Sequence, residues 1–219
     1  MAATVGRMGA FEGIPFEAVD FYEDLEHHNA RDWWSAHRDL YDTAVRAPME
    51  GLAAALEEEF GAAKAFRPHR DLRFSPDRSP YKTHQGVVVT TASGMGWYVQ
   101  VSADGLMTAG GWYAGTPGQL ARYRGAVDGG ASGEALRRVV DGLREDGYDV
   151  DGDRLKTRPR GVAPDHPRLD LLRHRSLTAE RQHGAPEWLP TPGTLDRVRA
   201  DWRAYRPLLE WLGEHVGEG

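Results

Sequence analysis

The sequence of 219 residues contains no cysteine. This absence excludes disulfide bridges, thiolate zinc sites, iron–sulfur clusters and cysteine nucleophiles. A chain of this length buries roughly 70–75% of the surface that it would expose when unfolded, so its core needs no cross-links. Long apolar runs are also missing. The longest uncharged stretch, 85–103, is interrupted by polar residues and predicts β-strands rather than a membrane span.

The start of the chain lacks the apolar segment of a secretory signal. The sequence also shows no internal repeat and no linker long enough to separate two domains. These features predict a cytoplasmic protein that does not enter the membrane. They further predict a short tail over residues 1–10, followed by a single domain over residues 11–216.

Positive charge is scarce and unevenly distributed. Lys and Arg number 27 against 33 Asp and Glu, for a net charge of −6, and three of the 27 are lysines. The stretch 67–84 nevertheless carries five basic residues against two acidic ones, and 154–175 carries seven against two. The overall acidity does not favour nucleic-acid binding. Two basic stretches in an acidic chain could converge into an anion site, or form a solvated surface with scattered ion pairs.

Apolar residues recur at helical spacing towards both ends of the chain and at strand spacing in the middle. The helical pattern covers 18–25, 33–45, 49–60, 120–127, 135–143, 169–172 and 195–212. Strands are expected near 69–74, 87–91, 97–102 and 105–111. The order predicts an α+β fold, in which N-terminal and C-terminal helices cover an antiparallel sheet.

Several residues are typical of the ends and turns of these elements. Asn29 is a good N-cap for the second helix, and Thr116 with Gln119 forms the signature of a capping box. The pair at 104–105, Asp-Gly, is a strong hairpin signal. Pro207 predicts a kink or break in the last helix.

A segment just before the sheet concentrates charged side chains. If residues 69–74 form a strand, alternation places Arg70 on its apolar face. Leaving a buried charge unpaired costs about 3–5 kcal/mol, so such an arginine needs a carboxylate or a bound anion. We therefore expect a buried guanidinium here, from Arg70 or Arg73. Its partner is expected to be a carboxylate such as Asp71 or Asp77.

These residue types suit an anion site. Arginine forks bind phosphate or carboxylate through two bonds, lysine supplies a point charge, and histidine or aspartate can carry a proton. Two Ser-Pro steps at 75–80 predict a rigid loop. The candidates for proton transfer are His84 and Asp71. The candidates for ligand binding are Arg70, Arg73, Asp77, Arg78, Tyr81, Lys82, Lys156 and Arg158.

One run is close to a known signature: residues 70–84 read RDLRFSPDRSPYKTH. This run resembles the domain of unknown function 2461 family, a family of conserved proteins. Supporting resemblances occur at 29–34, 110–113, 155–161 and 165–167, so that similarity extends roughly over 11–212. Two positions depart from the family pattern, His28 in place of an asparagine and Pro76 in place of a lysine. The resemblance implies a single α+β domain and brings no established activity with it.

Three interpretations of the basic segments remain open. The protein could be an enzyme acting on a small anionic substrate, or a non-catalytic module that binds a polyanion or a protein partner. The basic motifs could also be purely structural. We expect 70–84 and 156–160 to face each other across one anion-binding cleft. The sequence identifies no cofactor and no oligomeric state, and a metal site would depend on distant residues such as His69, His84, Asp71 or His166.

Overall fold

A computed structural model describes residues 11–71 and 78–217. The α-helices of these residues are α1 (Glu17–His27), α2 (Arg31–Ala36), α3 (Arg38–Leu40), α4 (Ala47–Phe60), α5 (Pro117–Asp128), α6 (Gly130–Glu145), α7 (Leu169–Leu172) and α8 (Gly193–His215). A π-helical segment, Tyr41–Arg46, joins α3 to α4. The helices lie before and after the central strands, as the apolar spacing predicts.

The strands form one six-stranded antiparallel sheet. They are β1 (Ala63–Ala65), β2 (His84–Ala92), β3 (Met95–Ser102), β4 (Gly105–Trp112), β5 (Asp149–Asp151) and β6 (Leu177–Gly184). Their order across the sheet is β1-β2-β3-β4-β6-β5. In the register of β5 with β6, Val150 lies opposite Ala179. The predicted α+β class with an antiparallel sheet is therefore confirmed.

Two tight turns build the β2–β3–β4 meander. Ser93 and Gly94 connect β2 to β3, and Gly94 has a φ of +72° that L-residues rarely adopt. Ala103 and Asp104 connect β3 to β4, and Gly105 begins β4 with a φ of +84°. The predicted Asp-Gly hairpin signal thus marks the turn and the first residue of the next strand.

A strand is predicted near 69–74, but the described residues of this segment do not form one. His69 forms an isolated antiparallel bridge with Tyr81, whereas Arg70 and Asp71 lie outside any strand. Residues 72–77 lie outside the described residues. Strands β1, β5 and β6 are additions that the apolar pattern did not predict.

The chain divides into two compact units. The first unit contains the described residues up to Val88 together with Val99–Leu106 and His183–Arg199. The second contains Val89–Tyr98, Met107–Gln182 and the described residues from Ala200 onward. A single domain over 11–216 stays a prediction.

The core of the first unit is built by the faces of α1 and α4. In α1 the buried residues follow helical spacing, and they are Ala18, Val19, Phe21, Tyr22 and Leu25. In α4 they are Met49, Leu52, Ala53, Leu56 and Phe60. Trp34 of α2 is also buried, whereas Trp33 is half-buried. Helix α4 packs beside β1, the strand that precedes the basic motif in the sequence.

In the second unit α8 packs on the meander through two tryptophans. The indole N–H of Trp97 donates to the carbonyl of Trp202 at 3.0 Å, and that of Trp202 donates to the carbonyl of Tyr98 at 3.1 Å. Helix α8 continues through Pro207 as one helix. Of the predicted kink or break, the break is wrong and the kink stays a prediction. Among the described residues, no helix combines the length and the apolar character that crossing a membrane requires.

Candidate functional site

The frame of the candidate site consists of two segments, 66–70 and 80–86, that run side by side in the first unit. Backbone hydrogen bonds of 2.8–2.9 Å join them, from Phe66 to Gly86, from Lys82 to Pro68 and from Arg70 to Pro80. His69 and Tyr81 are the directly opposite pair. Because side chains alternate along paired segments, Arg70 and Lys82 project from the same face of this frame.

Asn29 fixes the frame at Tyr81. Its Oδ1 accepts the Tyr81 backbone N–H at 3.1 Å, and its Nδ2 donates to the Tyr81 carbonyl at 3.0 Å. Arg70 Nη2 donates to the same carbonyl at 3.4 Å. The predicted role of Asn29 as an N-cap is wrong, because Ala30 occupies that position of α2. The side chain instead satisfies both backbone groups of a residue that lies 52 positions later in the chain.

Tyr81 anchors this frame to the helices. Its ring stacks on Trp34, with centroids 4.0 Å apart and planes 8° apart, and the residue is 6% exposed. Stacked aromatic pairs add about 0.5–1.5 kcal/mol beyond the burial of their area. These contacts give Tyr81, a predicted ligand-binding residue, a positioning role.

Lys82 lies among cationic groups. Its Nζ is 4.8 Å from the centroid of the Phe66 ring, a cation–π distance. Burial lowers the pKa of Lys82 below its usual value, and the guanidinium groups of Arg67 and Arg70 lower this pKa further. Arg67 and Arg70 therefore both act on Lys82 as like charges. With His84 they form what we call the cationic cluster.

His84 is half-buried at the start of β2. Burial lowers the pKa of its imidazole below 6.5, and the charges of Lys82 and Arg70 lower this pKa further. The imidazole is therefore neutral at pH 7 and can accept a proton. Asp71, the other predicted proton carrier, is exposed.

The remaining candidates of the first basic motif divide into two groups. Arg70 is half-buried and Arg78 is exposed, and both belong to the described residues. Arg73 and Asp77 lie outside them. The predicted burial of Arg73, and its pairing with a carboxylate, stay predictions.

Two polar residues that were not predicted from the sequence, Tyr41 and Gln85, connect the π-helical segment to the frame by hydrogen bonds. The hydroxyl of Tyr41, in the π-helical segment, donates to Gln85 Oε1 at 2.7 Å. Gln85 Nε2 in turn donates to the carbonyl of Phe66 at 2.8 Å. Gln85 is 3% exposed. A glutamine at the start of an alternating strand carries no sequence signal for burial, whereas Asn29 at least lies in a segment that resembles the family.

The second basic motif, residues 154–175, lies in the second unit, and five of its six arginines contact groups of the protein itself. Arg173 donates to the carbonyls of Leu155 and Lys156 at 2.8 and 2.9 Å. Arg158 donates to the carbonyl of Val162 at 2.6 Å. The other contacts are Arg154 to Asp151 at 3.0 Å, Arg175 to Asp153 at 2.7 Å, and Arg168 to the carbonyl of Val127 at 2.7 Å. These contacts join parts of the 151–175 region to one another and, through Arg168, to the end of α5.

Lys156 is exposed, and the shared cleft between 70–84 and 156–160 stays a prediction. His166 has local partners: its Nε2 lies 3.2 Å from Asp128, and its Nδ1 accepts the Arg168 backbone N–H at 3.0 Å. Within residues 11–71 and 78–217, no group of three His, Asp or Glu residues could hold a metal ion.

A pocket of about 430 Å³ opens in the second unit beside the start of α5. Tyr113, Thr116 and Leu120 line it together with Asp153 and Arg175. The charge of Arg175 is balanced there by Asp153. None of the candidate residues for proton transfer or ligand binding lines this pocket, so the cationic cluster remains the candidate site.

A family model described as a conserved hypothetical protein, DUF2461, matches residues 17–211. This match confirms the resemblance that the motif at 70–84 carries. No curated protein and no solved structure matches the chain.

Proposed function

The chain belongs to the DUF2461 family, and we propose that it binds a small carboxylated or phosphorylated anion at the cationic cluster. One observation carries the proposal: the paired frame holds Arg70 and Lys82 on one face, with Arg67 and His84 close enough to interact electrostatically with them. Like charges held together repel, and a bound anion turns this repulsion into attraction.

The frame makes the cluster a pre-organised site. Asn29 and Trp34 fix Tyr81, and the backbone bonds of 66–70 to 80–86 fix the backbone positions of Arg70 and Lys82. A rigid site loses little conformational entropy on binding, so more of the interaction energy appears as affinity. At a surface-like dielectric, one pair of opposite charges 4 Å apart is worth about 4 kcal/mol.

The overall charge supports a small ligand. A long polyanion would meet the negative potential of a chain with a net charge of −6, whereas a small anion meets only the local field of the cluster. A neutral His84 beside the anion also supports an enzyme, because an unprotonated imidazole can remove a proton from a bound substrate. Binding is the function that we propose, and catalysis by His84 is the second candidate.

The test is isothermal titration calorimetry with inorganic phosphate and with citrate. Arg67 is exposed, so the substitution Arg67→Glu reverses its charge without disturbing the core. We expect this variant to bind about tenfold more weakly, a loss of roughly 1.4 kcal/mol. Arg160→Glu makes the same change at an exposed position of the second unit and serves as the matched control. Equal affinity of the two variants, or no binding by the wild-type protein, would show that the proposal is wrong.

A further inference from the structure

Lys82 differs from the other two lysines of the chain in its surroundings. Lys64 and Lys156 are exposed, whereas Lys82 is half-buried with its Nζ against the Phe66 ring. In the part of the chain that the structure describes, no carboxylate lies within ion-pair distance of Lys82 Nζ. Among the described residues, the charged groups that act on this amine are cationic, Arg67 and Arg70.

We propose that Lys82 is an imine-forming nucleophile, and that the anion bound beside it is a small 2-oxo acid. The inference rests on the proposed anion site and names the class of its ligand. Arg70 and Lys82 project from the same face of the paired frame, so a negative group bound by Arg70 lies close to the atom that reacts. In a 2-oxo acid the carboxylate is bonded to the carbonyl carbon itself, which matches this geometry.

Imine formation requires the neutral amine. Burial and two neighbouring guanidinium groups lower the pKa of Lys82, and this raises the fraction of neutral amine near pH 7. The same two guanidinium groups bind the carboxylate of the ligand. Lysine side chains that change pKa on burial are suited to this chemistry, whereas arginine remains charged.

The reaction balances without an oxidant or a reductant. The lone pair of Nζ forms a bond with the carbonyl carbon while the π bond of the carbonyl breaks, and the oxygen takes up a proton from the solvent. The nitrogen loses a proton to give a carbinolamine, and the neutral imidazole of His84 is the nearby group that can accept it. The imidazolium of His84 returns this proton to the hydroxyl group as the carbon–oxygen bond breaks, so water leaves and a protonated imine remains. Addition of water reverses the sequence.

The test is trapping with pyruvate and sodium borohydride, because borohydride reduces an imine to a stable secondary amine. The chain has three lysines, so mass spectrometry of peptides assigns the site without ambiguity. We expect the adduct on Lys82 in the wild-type protein and in the matched controls Lys64→Arg and Lys156→Arg. Lys82→Arg keeps the positive charge and should lose the adduct. An adduct spread equally over the three lysines, or none at Lys82, would overturn the proposal.

Two further measurements separate this inference from the proposed function. Arg67→Glu should lower the trapped fraction about tenfold at a pyruvate concentration below saturation, and equal trapping would overturn the assignment of the ligand class. Calorimetry with lactate, which has the carboxylate but no carbonyl group, reports the anion site alone. If wild-type protein binds lactate but pyruvate is not trapped, the imine is wrong and the anion site stands. If neither lactate nor phosphate binds and no trapping occurs, both are wrong.

Discussion

The side chain of Asn29 makes two hydrogen bonds to the backbone of one residue, Tyr81. Asn29→Ala removes both, and the Tyr81 N–H and carbonyl lose partners in a part-buried place. We expect the free energy of unfolding to fall by about 1–3 kcal/mol, measured by urea denaturation. Asn29→Asp keeps the acceptor and should lose less. Ser35→Ala removes an exposed hydroxyl of α2 and is the control. If Ser35→Ala lowers the free energy of unfolding as much as Asn29→Ala does, the prediction is wrong.

In the second unit, Asp201 is a buried residue whose side chain also makes several hydrogen bonds. It is 2% exposed and accepts hydrogen bonds from Thr108 at 2.8 Å and Tyr148 at 3.0 Å, and it lies 3.4 Å from Arg181. Hydrogen bonds to a charged group contribute about 1.5–3 kcal/mol, so we expect Asp201→Asn to lower the free energy of unfolding by that amount. Tyr148→Phe removes one bond and should lower it by less. Thermal unfolding of both single variants and of the double variant checks this, because partners in one network give less than additive losses.

At the scale of elements, the π-helical segment is connected to the frame of the candidate site. Tyr41 donates to Gln85, and Gln85 donates to the carbonyl of Phe66. Burial raises the pKa of Tyr41 to about 12, so its hydroxyl remains a donor at ordinary pH. Tyr41→Phe leaves Gln85 Oε1 without this donor, and we expect a loss of about 1–3 kcal/mol. A double-mutant cycle with Gln85→Leu should give a coupling energy of at least about 0.5 kcal/mol; additive losses would contradict the link.

The elements that could be predicted are those whose own sequence carries a period. Strands β2, β3 and β4 contain runs of β-branched and aromatic residues, and the helices α1 and α4 repeat apolar residues at helical spacing. Strands β1 and β5 have three residues each, too few to show alternation. Strand β6 does alternate, with Leu177 and Ala179 buried, but its charged second half hides the pattern. These three strands are defined by their pairing with neighbouring strands, which their own sequences do not reveal.

The candidate site was predictable as a set of residue types and not as an arrangement. The motif at 70–84 singled out Lys82 and His84, which the structure brings into one cationic cluster. It could not show that Asn29, 52 positions earlier, holds Tyr81 in place, because a contact between distant segments leaves no local period. In the second motif, Arg173 binds a backbone carbonyl, a contact that the sequence does not show, and ligand binding by Lys156 and Arg158 stays a prediction.

On the scale of the whole molecule, two histidines couple stability to pH. Burial lowers the pKa of His84 and of His174 below 6.5 in the folded chain. Below this value the unfolded chain binds more protons than the folded chain, so the free energy of unfolding falls as the pH falls. Their contribution is complete above about pH 6.5, where both states are neutral. Asp170, whose pKa is lowered below 3.8, acts only in a more acidic range.

The prediction is a decline in the free energy of unfolding as the pH falls below about 6.5, with a shallower slope when either histidine is replaced. His84→Gln and His174→Gln each remove one group whose protonation favours the unfolded chain. Urea denaturation at several pH values measures the slope for each variant. His28→Gln changes an exposed histidine and is the control. If the variants at 84 and 174 have the same slope as wild type and control, burial of these imidazoles does not set the acid sensitivity, and carboxylates such as Asp170 must account for it at lower pH.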